Sequence, residues 1–259
     1  MNTWLLAEGK TFESPGPKDF VFDGAVGPLN KPMIITIVGT VLVGLFFYLA
    51  TRRAERVPGK LQFAGESAYG FVRNAIALDA IGKEGLRYVP YLATVFFFLA
   101  TLNIAGIVPF AQFPATSRIA LPLFIALISC VIFNAIGIKR MGGLGYFKAM
   151  MFPPGIPWPV YILLAPIEFV STIIIRPLTL TLRLTFNMFA GHLVLLLFVL
   201  GGEFLVFEKS GVVGILAGSV AFVGSIVLTF FEGFVQLLQA YVFTLLSALY
   251  IGGALVDEH

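Results

Sequence analysis

The sequence predicts an all-α polytopic membrane protein of about five membrane crossings, its last two helices long, tilted and paired as a membrane-embedded hairpin. Three observations lead there. Of the 259 residues, 58% are hydrophobic and 12% charged, with a mean hydropathy of +0.95; soluble domains carry about 25% charged residues. Apolar runs of about 20 residues, the length that spans a ~30 Å hydrocarbon core as helix, recur along the chain. The last two apolar stretches are roughly twice that length, and neither offers an obvious polar turn at which to divide it.

Residues 1–31 form an extramembrane N-terminal tail. They carry four acids (Glu8, Glu13, Asp19, Asp23) against three lysines, which argues against a cleaved signal or an Arg-rich transit peptide. Gly9-Lys10-Thr11 is similar to the end of a phosphate loop, but Trp4 stands where the loop's first glycine belongs and no strand precedes it, so the match is read as chance. A single integral membrane domain, 32–259, follows. Its first span, about 32–50, is uncharged and is followed at once by Arg52, Arg53, Arg56 and Lys60. Residues 61–88 mix aromatic and aliphatic side chains with Glu66, Arg73, Asp79, Lys83, Glu84 and Arg87, an amphipathic composition suited to the interface.

The second span, about 89–108, contains Asn103, a residue type that more often bonds a neighbouring helix than a ligand. A short loop, 109–119, holds Ser117 and a single charge, Arg118. The third span, about 120–138, ends at Lys139 and Arg140 and contains the lone Cys130, read as a small buried hydrophobe. A loop rich in Gly and Pro comes next, with Trp158 at the level of an aromatic belt.

Residues 160–200 contain only Glu168, Arg176, Arg183 and His192 as ionisable groups, and 212–256 only Glu232. At ~1.5 Å per residue each would be roughly 60–65 Å as one helix. The expected solution is a pair of steeply inclined or bent helices joined by a loop over Gly201–Gly211, with Pro166 and Pro177 able to kink the first. Five crossings place residues 51–88 and 139–159 on one side with ten Lys or Arg, and leave five on the other. By the positive-inside rule the N-terminus is then outside and the C-terminus cytoplasmic.

Arg183 is the residue that most needs explaining. A guanidinium cannot shed its proton, and mid-membrane it costs about 2.5–3.5 kcal/mol on insertion scales. It either snorkels to an interface as a packing residue or is a fixed positive charge on an ion path. At 100° per residue, Arg176, Arg183 and Asn187 share one helix face, while His192 points the opposite way. On the last helix Gly211, Gly214, Gly218, Ala221 and Ser225 form a small-residue stripe that continues as Glu232, Gln236 and Gln239. The small residues admit a close helix. Glu232 is either a structural acid bonded to the backbone or a proton carrier near His192 or water.

There is no zinc-binding HExxH, complete phosphate loop, nucleophile elbow or dinucleotide fingerprint. No cofactor, metal or nucleic-acid partner is expected. The buried charges alone also suit a self-contained proton-coupled secondary transporter or channel, although no internal repeat is evident.

LRLTFNMFAGH (182–192), followed some forty residues later by FEGFVQLLQAYVF (231–243), closely resembles the subunit a family of rotary F-type ATP synthases. TLNIAGIVP (101–109) and APIEFVS (165–171) are similar to that family's other signatures. The resemblance implies a stator subunit of the Fo sector, non-catalytic on its own, set in a bacterial plasma membrane rather than a mitochondrial or thylakoid one. Its two long helices would lie against an oligomeric c-ring whose subunits each bear a membrane-buried carboxylate, with peripheral-stalk subunit b and membrane lipid as further partners. By position Arg183 matches the essential arginine facing the ring, with Asn187 and Gln239 as polar residues near it. His192 and Glu232 occupy the two positions where a histidine and an acid pair across the helices, in the reverse of the order common among bacterial members. Arg176, Glu168, Gln236, Asn103 and Ser117 are the expected access-channel residues. After Pro114 the chain has Ala-Thr-Ser-Arg where relatives often have an aspartate, leaving Ser117 or Arg118 to substitute. Two offset aqueous half-channels with Arg183 between them would couple proton flow to rotation, and protons rather than sodium are expected because His192 suits a proton relay.

Overall fold

A computed structural model describes residues 15–16, 30–52, 55–108, 114–152, 158–207 and 211–255, apart from the side chains of 158 and 159. Most of the expected tail and the extreme C-terminus therefore lie outside the described residues. Among the described residues there are helices and no strands. Five helical stretches are long and apolar enough to cross a membrane: Lys31–Thr51, Lys83–Ile104, Ala120–Met141, Val160–Phe207 and Val212–Leu255. The protein is an all-α integral membrane protein.

Helix α1 (Lys31–Thr51) begins after Asn30 with Pro32 in its first turn, where a missing N–H costs nothing. It is apolar all round and mostly exposed, as a lipid-facing helix should be. It touches the bundle at Gly39, where a Cβ would lie 3.1 Å from Leu102. The amphipathic stretch is helix α2 (Lys60–Val72), a π-helical segment Arg73–Leu78, helix α3 (Asp79–Ile81) and a 3-10 turn Lys83–Tyr88. Gly82 supplies the break between the last two with φ 83°. One side of the stretch buries Val72, Ile76 and Ala77 completely in the core, while its charged residues stay exposed.

Helix α4 (Val89–Ile104), a buried 3-10 turn Ala115–Ser117 and helix α5 (Ala120–Met141) lead to α6 (Gly143–Met151). That last helix stands where a loop was expected. Gly142, with φ 76°, ends α5, and the phenol ring of Tyr146 packs directly on Gly137 of α5, so burial of one aromatic ring orders the segment. Pro153, Pro154 and Pro157 lie outside the described residues.

Helix α7 (Trp158–Val170) passes through a π-helical segment, Ser171–Ile175, into α8 (Arg176–Phe207). Pro177 explains the slip: lacking an N–H, it cannot bond back to residue 173, and the ladder lengthens by one residue just ahead of it. Helix α9 (Val212–Leu255) is a single helix of 44 residues. The expected loop over 201–211 needs correction, because α8 stays helical through residue 207. Gly202 belongs to the helix pair rather than to a turn. A Cβ on Gly218 would sit 2.8 Å from the Gly202 carbonyl, and one on Gly202 would sit 3.3 Å from Ala221. Close backbone packing at that crossing outweighs the ~1 kcal/mol a helical glycine costs.

Helices α8 and α9 pack on each other more extensively than any other pair, and α4 and α5 close around them. The core sits at one end of this bundle. Leu180, Leu184 and Met188 of α8 meet Leu99 of α4, Ile125 of α5 and Phe243 of α9. Leu92, Phe133 and Ile251 continue it toward the end of α9. The other half of α9 is open on most of its circumference, with Val220, Val227 and Phe230 at 73%, 64% and 78% exposure.

Candidate functional site

The site is built on the α8–α9 crossing. Arg183 lies on a continuous exposed stripe of α8 with Phe186, Asn187, Ala190 and Val194, spaced three and four residues apart. The opposite face, carrying Leu180, Leu184 and Met188, is buried against the bundle. Among the described residues Arg183 has no hydrogen-bond or ion-pair partner. Its helix-mates fix its position without neutralising its charge. At nearly the same level, Asn187 donates from Nδ2 to Gln239 Oε1 at 2.7 Å across to α9.

One buried polar cluster lies beyond Arg183 in the direction of His192. Glu232, Gln236 and Gln239 are 7%, 0% and 4% exposed, stacked on the α9 face that meets the bundle. Gln236 Nε2 donates to Glu232 Oε1 at 3.2 Å. The Glu232 carboxyl lies against α8 at Gly191, the residue before His192: a Cβ there would be 3.2 Å from its Cδ and Oε1, close enough to push the acid back by a few tenths of an ångström. His192 is buried on the side of α8 away from the Arg183 stripe. From Gln236 the cluster extends into α4, where Asn103 Nδ2 donates to the Gln236 carbonyl at 3.1 Å. Thr116 Oγ1 in turn donates to Asn103 Oδ1 at 2.7 Å. Ser117 is buried next to Thr116, and its Oγ, like Gln236 Oε1 and Gln239 Nε2, is buried without a hydrogen bond. Buried polar atoms left in that state cost ~1–3 kcal/mol each unless water reaches them. These atoms follow one another from the connecting segment after α4 to the α8–α9 crossing.

A second polar cluster lies on the other side of Arg183. Arg176, about two helical turns away, stacks over the Tyr250 ring at 5.0 Å from its centroid. Nearby on α5, Asn134 Nδ2 donates to the Cys130 carbonyl at 2.7 Å and accepts at Oδ1 from the Tyr146 hydroxyl at 2.9 Å. Burial pushes the Tyr146 phenol above its ordinary range, so it remains a proton donor there. Tyr91 and Ser129 share a 2.7 Å hydrogen bond between α4 and α5. Thus the two arginines on one face of α8 differ in kind: Arg176 is covered by an aromatic ring, Arg183 is not.

Of the residues singled out in the sequence, Asn187 is joined to Gln239, and Asn103, Gln236 and Glu232 form one connected group that meets α8 at Gly191, next in sequence to the buried His192. Ser117 is adjacent but unbonded, and Glu168 on α7 is partly exposed with no polar contact to any described residue. Sequence reasoning missed Thr116, Tyr250, Asn134 and Tyr146. Thr116 sits directly beside Ser117, but its bond to Asn103 spans a connection whose path periodicity does not reveal. Tyr250 is eleven residues past Gln239, about three helical turns beyond where the polar stripe was followed.

The comparisons with known proteins agree with this architecture. The family model described as ATP synthase A chain matches residues 33–252. A protein of Nocardioides sp. named ATP synthase subunit a is 44% identical over 270 residues, covering 98% of this chain and 96% of its own length. Proteins of the same name from Frankia alni and Parafrankia sp. are 46% and 45% identical, covering 98% and 97% of this chain and 90% and 87% of their own lengths. A match over nearly the whole chain, carrying every span and both polar clusters, leads to one conclusion: the chain belongs to the ATP synthase A chain family.

Proposed function

We propose that this chain is the proton-channel stator subunit of the Fo sector of a rotary ATP synthase, with Arg183 as the fixed charge past which a ring of membrane carboxylates turns. The observation that carries the reading is the placement of Arg183: exposed on an apolar, uncovered face of the α8–α9 hairpin and flanked along α8 by two separate polar clusters, one buried and one half-buried. A self-contained transporter would be expected to bury such a charge within its own fold. An uncovered face with a lone cation is suited instead to a partner that brings carboxylates to it.

In this reading the cluster of Ser117, Thr116, Asn103, Gln236, Glu232 and His192 is the access path from the outer side. The cluster around Arg176, Tyr250, Asn134 and Tyr146 is the path to the cytoplasm, with the N-terminus outside and the C-terminus cytoplasmic. Each opens toward the ring face on its own side of Arg183. A ring carboxylate nearing Arg183 releases its proton because a neighbouring cation favours the ionised form. Once past, it takes a proton from the other path, since an unpaired carboxylate facing lipid is too costly. Arg183 bars a direct leak by repelling an excess proton at the point where the two paths approach each other. The membrane potential contributes about 2.3 kcal/mol per 100 mV for each proton carried across. The c-ring and peripheral-stalk subunit b are the partners, in a bacterial plasma membrane.

The contact with the ring is tested by cross-linking. A cysteine replacing Phe186, which is 60% exposed beside Arg183, is expected to form a disulfide with a cysteine placed next to the ring carboxylate. A cysteine replacing Met188, which is 1% exposed on the opposite face, is expected not to. Cross-linking from position 188 and not from 186 would remove the proposal. The outer path is tested at Thr116. Thr116→Val keeps the shape but removes the donor to Asn103, and ATP-driven proton pumping is expected to fall several-fold with assembly unchanged, the scale of one buried hydrogen bond of ~1 kcal/mol.

A further inference from the structure

We infer that the cleft between the Lys83–Tyr88 turn, the end of α5 and the end of α9 is a binding site for the phosphate headgroup of an anionic phospholipid. The cleft encloses about 670 Å³. Among the described residues, Lys83, Arg87, Lys139 and Arg140 line it, with one acid, Glu84. Arg140 Nη1 donates to Glu84 Oε2 at 2.7 Å, which ties the turn to α5 and leaves the acid engaged. The remaining cations converge on one concave space from two elements far apart in sequence. That is a stronger arrangement than the scattered basic residues of a positive-inside loop, which need not face one another.

The walls set the class of ligand. Ile136 and Leu255 contribute apolar surface next to the charges, and Tyr88 adds an aromatic face with a hydroxyl. A ligand that matches must carry a phosphate and an apolar body joined to it. The location agrees with a lipid source. Lys139 and Arg140 fall in the last turn of a membrane-crossing helix, and the exposed apolar residues Leu86 and Ile138 lie beside the lining residues in sequence. Cations at the end of a span attract anionic headgroups at about 1 kcal/mol each. In the orientation proposed above, the cleft belongs to the cytoplasmic leaflet. None of its residues takes part in the proton paths, so the site stands or falls independently of them.

The experiment uses the full chain in nanodiscs of phosphatidylcholine with a trace of acyl-chain spin-labelled phosphatidylglycerol. The immobilised fraction of the label is read by electron paramagnetic resonance, with labelled phosphatidylcholine as the reference. Lys83→Gln with Lys139→Gln leaves the Arg140–Glu84 pair in place and is expected to weaken phosphatidylglycerol retention by about fivefold per cation removed, without changing the phosphatidylcholine signal. The charge-keeping pair Lys83→Arg with Lys139→Arg is expected to retain it, which separates loss of the site from loss of the fold. Millimolar inorganic phosphate is expected not to displace the label. Equal retention in the glutamine variant would overturn the proposal. So would complete displacement by inorganic phosphate, which would mark a site for free anions. Exclusion of the label from the assembled complex, with retention by the isolated chain, would assign the cleft to a protein partner and overturn it as well.

Discussion

Arg183→Ala is expected to reduce proton-driven ATP synthesis in membrane vesicles to background, a loss of more than about 10²-fold, the scale of removing one preorganised charge-stabilising group. Assembly should survive. Arg183 is exposed and bonds no described residue, so its removal breaks no contact within the chain, and substitutions away from such contacts usually change stability by about 0.5 kcal/mol or less. Taking a guanidinium out of an apolar segment also removes an insertion cost of about 2.5–3.5 kcal/mol. Arg183→Lys should fail to restore coupling, because an ammonium desolvated beside lipid can give up its proton where a guanidinium cannot. With the charge gone, nothing repels a proton between the two paths, and vesicles stripped of the soluble catalytic sector should leak protons faster than wild type. Wild-type synthesis rates in the alanine variant would remove Arg183 from the mechanism. A failure to assemble would show instead that the arginine holds the fold together.

The face on which this residue lies was legible in the sequence for a simple physical reason. Helical phase is rigid, so Arg183 and Asn187 must share a face and His192 must oppose Arg183 once the segment is helical, and α8 is. Of the stripe expected from Gly211 to Gln239, Gly214, Gly218, Ser225, Glu232, Gln236 and Gln239 are buried, Ala221 is half-buried, and Gly211 precedes α9 and is exposed. Local rules failed where tertiary contacts decide. The glycines near residue 202 looked like a turn because glycine weakens an isolated helix, but they serve a helix crossing whose partner lies sixteen residues further along. The α6 segment looked like a loop because Gly142, Gly143 and Gly145 are poor helix formers, and only the docking of Tyr146 on Gly137 overrides them. The Thr116–Asn103 and Tyr146–Asn134 bonds join helices to connecting segments. No periodicity extends through a connection, so such pairs are invisible until the chain is folded.

Glu232 and His192 carry the second large expectation. Glu232→Gln retains an oxygen that can accept from Gln236 and changes little in volume, so the fold should hold. It removes the group that can gain and lose a proton, and proton conduction through vesicles stripped of the catalytic sector is expected to fall by about 10²-fold, the lower end of what a positioned acid or base contributes. His192→Ala should give a loss of similar size. If the two act as one proton-handling unit, the exchange His192→Glu with Glu232→His should recover a substantial part of the flux, and the double-mutant cycle should show strong coupling. A merely structural Glu232 predicts the opposite pattern: near-normal conduction in Glu232→Gln, and losses in the exchanged protein that simply add. Proton flux normalised to the amount of assembled complex separates the two, because a packing defect lowers the amount of complex whereas a broken relay lowers the flux through each one.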